Sequence, residues 1–120
     1  MRRLLLILTL AAAAPSCALA ASDQARAEKA GPEAMVGLAY AQQHCSGCHA
    51  IGARGRSPNR ASRPFRDIAN RYTEVELSER LADLSTGHFR MPRLNVTETD
   101  LKTLIAYLRT MREDSTPRGP

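Results

Sequence analysis

The sequence predicts an all-α fold, one small domain of about four helices, and three observations carry that prediction. Apolar residues recur at i, i+3 and i+4 in separate stretches, the spacing of a helix with one buried face. Two of these stretches open on a Thr followed three residues later by a carboxylate, and another opens on Gly31-Pro32-Glu33; both patterns begin helices. The intervening segments are rich in Gly and Pro, and nowhere does a series of strands show.

Residues 1–20 form no part of that fold. Met1-Arg2-Arg3 is a basic start, Leu4 to Ala14 an apolar run, and Ala18-Leu19-Ala20 a small-x-small site, which together read as a signal peptide cut after Ala20. The apolar run is too short, before Pro15 and the polar Ser22-Asp23, to remain as a membrane span. Cys17 follows Ala14-Pro15-Ser16, a poor match to the Leu-containing box before a lipidated cysteine, and is read as part of the removed peptide; acylation there would instead tether the chain to a membrane. Residues 21–31, rich in Ala, Ser and charge without an apolar stripe, read as a flexible leader.

The domain is expected over residues 32–113. Its first helix starts at Pro32 and turns Met35, Leu38 and Ala39 inward, while Gly37 leaves room for another helix to cross closely. Residues 52–60 are an irregular loop whose Arg54, Arg56 and Arg60 continue a basic run through Arg63 and Arg66. Pro64 opens a short helix with Phe65, Ile68, Ala69 and Tyr72 on one face. Thr73 and Glu76 form a capping box for the next, which carries Leu77, Leu81 and Leu84 and stops at Ser85-Thr86-Gly87. A loop from His88 to Asn95 follows. Thr97 and Asp100 then cap a last helix whose inward face is Leu101, Leu104, Ile105, Leu108 and Met111, and residues 114–120 read as a flexible tail.

At the end of the first helix stands Cys45-Ser46-Gly47-Cys48-His49, the C-x-x-C-H attachment pattern of a c-type haem. Each thiol can add to one vinyl group on the porphyrin edge, one helical turn presents both sulfurs, and His49 supplies a nitrogen to the iron. One covalent haem c is therefore expected, bound through Cys45 and Cys48 with His49 as an iron ligand. Two plainer readings compete, a dithiol redox pair and half of a zinc site. Zinc would want two further ligands, for which only His44 and His88 remain, and a thioredoxin-like pair would follow a strand. Composition favours haem: a mature chain of about 100 residues buries a limited core, and this one has no Trp, three Tyr and two Phe, so a large apolar cofactor would supply missing bulk. The positive balance is too mild to argue for nucleic acid.

Met91 is the expected second iron ligand. It sits in a polar loop, where a core Met has no evident place, and Pro92 after it biases the backbone toward extended geometry, which can lay a thioether against iron. His44 abuts Cys45 and cannot readily reach the other haem face; His88, in the same loop as Met91, is the nearer rival.

Through Cys48-His49-Ala50-Ile51, Phe65-Arg66-Asp67-Ile68-Ala69 and Met91-Pro92, in that order, the chain resembles the class I c-type cytochromes of bacteria, most closely the small c551-like monohaem proteins. The resemblance implies that the first and last helices of the domain cross near Gly37, with His49 and Met91 on opposite haem faces. It also implies a carrier of single electrons between redox partner proteins, not an enzyme; with the export signal that carrier is expected in the periplasm, as a monomer. In that family a proline after the motif usually lends its carbonyl to the histidine's other nitrogen, and here Pro58 and Pro64 are both candidates. The arginine run could meet an acidic partner, pair with haem propionates, or simply face water. Two related functions compete. One is a haem enzyme or gas sensor with His88 or Arg90 beside an open iron; the other is the dedicated cytochrome subunit of a periplasmic dehydrogenase or oxidase.

Overall fold

The computed structural model describes residues 15–85 and 91–112. Regular structure there is helical: α1 is Pro15–Ala30, α2 Pro32–His44, α3 Phe65–Arg71, α4 Glu74–Ala82 with a 3-10 turn at Asp83–Ser85, and α5 Glu98–Arg109. The helix end expected at Thr86-Gly87 and the tail at 114–120 lie outside the described residues.

The α2–α5 crossing is the centre of the packing. α2 buries Ala34, Gly37, Leu38 and Ala41, and α5 meets it with Thr103, Leu104, Tyr107 and Leu108. A methyl group at Gly37 would overlap the Thr103 carbonyl oxygen and lie 2.9 Å from Tyr107 Cβ, so the missing side chain sets how closely the helices approach. Leu38, Leu104, Leu108 and Met111 are buried as the sequence predicts, while the rest of the two expected stripes is displaced. Ala39 is exposed, Met35, Leu101 and Ile105 are half-buried, and small residues take the inward positions of α2. Tyr107 is fully buried and donates from its hydroxyl to the Ile51 carbonyl at 2.9 Å. Burial first, and the charge of Asp23 second, hold this phenol protonated well above its ordinary range, so it remains a donor.

Both capping boxes form as the sequence predicts. The Thr73 N–H donates to Glu76 at 2.8 Å and Thr73 Oγ1 accepts from the Glu76 N–H at 3.3 Å. Thr97 and Asp100 do the same at 3.0 and 3.2 Å. These exchanges fix where α4 and α5 begin, and hence which way their apolar faces point. The far end of α5 grips the α3–α4 corner: Arg109 holds Glu74 at 2.7 and 2.5 Å, Arg112 donates to the Tyr72 carbonyl at 2.8 Å, and Asn70 donates to the Met111 carbonyl at 3.2 Å. The Arg109–Glu74 fork is bidentate but roughly half exposed, so screening limits it to about 1 kcal/mol or less.

Residues 21–31 differ from expectation. They are not a frayed leader: α1 runs through Ala30, giving five helices instead of four among the described residues. Its Ala content favours helix, and Asp23–Arg26 (2.9 Å) and Gln24–Glu28 (3.2 Å) pair along its side. The absent apolar stripe has a simple cause: among the described side chains of α1, the fully buried one is the methyl of Ala27. Gly31, at φ 109, ends α1, and Pro32 restarts the chain as α2.

Candidate haem-binding site

The motif occupies one tight turn off the end of α2. The Cys45 N–H donates to the Ala41 carbonyl at 2.9 Å, and the N–H groups of Cys48 and His49 donate to the Cys45 carbonyl at 3.1 and 2.9 Å. Both thiols are free; Cys45 is buried and Cys48 exposed. Burial pushes the Cys45 thiol up to about 11, so in the closed fold it is protonated.

His49 is oriented from behind. Its Nδ1 lies 2.7 Å from the carbonyl oxygen of Arg63. A carbonyl only accepts, so Nδ1 carries the hydrogen and Nε2 keeps its lone pair for a metal. Neither Pro58 nor Pro64 supplies this oxygen. Pro64 cannot, because its own carbonyl accepts the N–H groups of Asp67 and Ile68, both at 3.1 Å, as α3 starts. It acts one residue upstream instead, since a residue before proline is driven to extended geometry and Arg63 thereby presents its carbonyl. The loop between is pinned: Ala50 N–H to Ser57 Oγ (3.0 Å), Asn59 N–H to the Cys48 carbonyl (3.2 Å) and Phe65 N–H to the Ala50 carbonyl (2.9 Å). The Phe65 ring flanks the imidazole with centroids 5.7 Å apart.

These groups face a cleft of about 820 Å³, and Cys45, Cys48, His49 and Met91 all line it. Phe65, Ile68, Leu77, Leu81, Leu84, Leu94 and Leu104 make the rest of its wall largely apolar, with Asn59, Arg63 and Arg80 among the polar groups. That volume suits a cofactor. The Met91 segment is tied to the end of α4 by the Leu94 N–H donating to the Leu84 carbonyl at 3.0 Å. His44 also lines the cleft and packs against Tyr40 with the rings tilted, centroids 4.5 Å apart. His88 and Arg90 lie outside the described residues. Among the described residues no three His, Cys, Asp or Glu side chains are grouped to hold a metal ion by themselves.

Three residues take parts that the sequence did not signal. Arg63 serves through its backbone, which any residue possesses. Arg80 caps the Tyr72 ring, 4.3 Å from its centroid. Arg66 is turned inward from the basic run, donating to the Gly55 carbonyl at 2.8 Å.

Fold and site together define a small all-helical protein with a largely apolar cleft and two free thiols, an imidazole and a thioether in its walls. The cytochrome c family model matches residues 34–112, and the chain belongs to that family. Its members bind covalent haem c and typically carry electrons. No curated protein and no solved structure matches the chain. The residues present fit the haem, with unpaired cysteines, a histidine whose outer nitrogen is already satisfied, and an apolar cleft of cofactor size. No helix among the described residues is long and apolar enough to cross a membrane.

Proposed function

We propose that this is a c551-like bacterial electron carrier of the periplasm, a monomer released from residues 1–20, with haem c bound through Cys45 and Cys48 and the iron held by His49 and Met91. The observation that carries the reading is that a Met from the far side of the sequence shares one cleft with the C-x-x-C-H turn. When bound, the haem supplies a ferrous/ferric couple. The chain's own contribution is positional. The Arg63 carbonyl fixes the His49 tautomer and raises its basicity. A neutral thioether from Met91 favours the reduced state, and the Leu and Phe walls keep the surroundings dry. Were His49 and Met91 both to hold the iron, no position on it would be left for a substrate, which supports a carrier over an enzyme. Replacing Met91 by Ala is expected to abolish the sulfur-to-iron charge-transfer band and lower the midpoint potential, while His88→Ala leaves both intact. The reverse pattern would transfer the role of second iron ligand to His88.

The redox partner on this reading is acidic. Segment 52–66 contains five Arg and no Asp or Glu. Arg66 is occupied by Gly55 and Asp67, whereas Arg54, Arg56, Arg60 and Arg63 are exposed beside the motif. Long-range attraction of this kind accelerates association and fades as salt shortens the Debye length. Electron transfer to an acidic partner should therefore slow with ionic strength, and an Arg54→Gln, Arg56→Gln variant should be slower at low salt with a flatter dependence. A rate indifferent to both changes would make the run a merely hydrated loop.

A further inference from the structure

We propose that Asp23 on α1 is a positioning residue for His49: the part of α1 from Ala21 to Ala30, which stays after residues 1–20 are released, is a strap that holds the turn at 51–53, and through it the loop that carries the Arg63 carbonyl. The inference rests on His49 being the iron ligand.

Asp23 lies well outside the haem motif in sequence, yet its carboxylate is spent on the turn that follows it. Oδ1 accepts the Ala53 N–H at 3.1 Å and also takes Arg26 at 2.9 Å. Oδ2 occupies the space above Gly52, where a methyl group would overlap it. The side chain is only 16% exposed, so its charge is committed to these donors and largely withdrawn from solvent. Tyr107 holds the same turn from α5 by its bond to the Ile51 carbonyl. Thus Ile51, Gly52 and Ala53 are clamped by α5 and α1 in succession.

What the clamp steadies is the loop behind the imidazole. Ala50, next to the clamp, is bonded through its N–H to Ser57 and through its carbonyl to Phe65, two residues after Arg63. Asn59 in the same loop is bonded to the Cys48 carbonyl. Loosening the turn at Ala53 frees one end of this frame, and the Arg63 oxygen is held, among the described residues, by the frame itself and His49. A carbonyl that wanders from Nδ1 leaves the imidazole less basic and a poorer donor to ferric iron, which raises the potential. Ala27, buried against the body, keeps α1 seated so that Asp23 stays in reach.

The test uses the full haem-loaded protein, with amide hydrogen exchange, exchange of the His49 Nδ1–H, and the midpoint potential as readouts. Asp23→Ala should speed exchange at Ala53 and Asn59 about tenfold or more, as expected for losing a hydrogen bond to a charged acceptor. It should also speed exchange of the His49 ring proton and shift the potential upward. Asp23→Asn, which keeps an acceptor oxygen, should recover most of the protection. Gly52→Ala, which displaces the carboxylate without altering it, should reproduce the loss, and Glu28→Ala on the same helix should do nothing. Unchanged Ala53 exchange in Asp23→Ala would overturn the proposal. So would faster exchange with an unmoved ring proton and potential, because α1 would then only add stability. Failure of the haem reading has a different mark, colour leaving the wild-type polypeptide on acid–acetone extraction, and the exchange measurements do not depend on it.

Discussion

In a Cys45→Ala, Cys48→Ala double variant, all colour should part from the polypeptide during acid–acetone extraction, whereas the wild-type chain keeps it. The extraction removes haem held only by coordination and packing, so it reads the thioether bonds alone. Each cysteine makes a separate test possible. Cys48 is exposed, so Cys48→Ala removes a bond without opening the core, and the remaining link at Cys45 should retain the colour. Cys45 is part of the buried cluster with Leu38, Leu104 and Leu108, and its replacement costs packing as well as a bond. Colour that survives extraction in the double variant would remove the basis for covalent attachment.

Gly37→Ala should lower stability by about 2–4 kcal/mol, a large share of what a domain of this size possesses. Two effects oppose each other. Alanine is the better helix former by about 1 kcal/mol, and on an exposed helix the substitution would be favourable. At Gly37 the new methyl meets the Thr103 carbonyl and the Tyr107 Cβ. Neither is the free end of a flexible side chain, so relief requires α5 to move off α2 along the main interface of the fold. The steric cost exceeds the propensity gain. A fall in the urea midpoint with an unchanged slope is the expected reading; an unmoved or raised midpoint would mean that the helices part at no cost.

Much of this molecule can be read from local chemistry. The capping boxes at Thr73–Glu76 and Thr97–Asp100 form at the expected residues because their hydrogen bonds close within four residues. Pro32 opens α2 for the same local reason. The motif was legible because its thiols and imidazole are adjacent in the chain. Features that depend on distant partners were not. α1 carries a polar sequence with one buried methyl, and its seat is made by Asp23 meeting backbone thirty residues away. The inward face of α2 shows only Leu38 in a hydrophobic pattern; Ala34, Gly37 and Ala41 weigh little there and become core only where α5, with Tyr107, covers them. The oxygen behind His49 belongs to Arg63, whose side chain had drawn attention as a charge while its carbonyl did the work.

The seat of α5 on α2 also imposes an order on maturation. Gly37 and Thr103 are separated by roughly 65 residues, and so distant a contact forms only after the intervening chain has been gathered. Once it has formed, Cys45 retains 6% of its surface and its thiol is held protonated, whereas bond formation at sulfur needs an accessible thiolate. Chemistry at Cys45 is therefore easier in the chain before α5 docks than in the closed fold. Because α5 is the last of these helices to be synthesised, the interval before it closes is a working window. The yield of finished protein should follow the length of that window more closely than the affinity of the completed cleft.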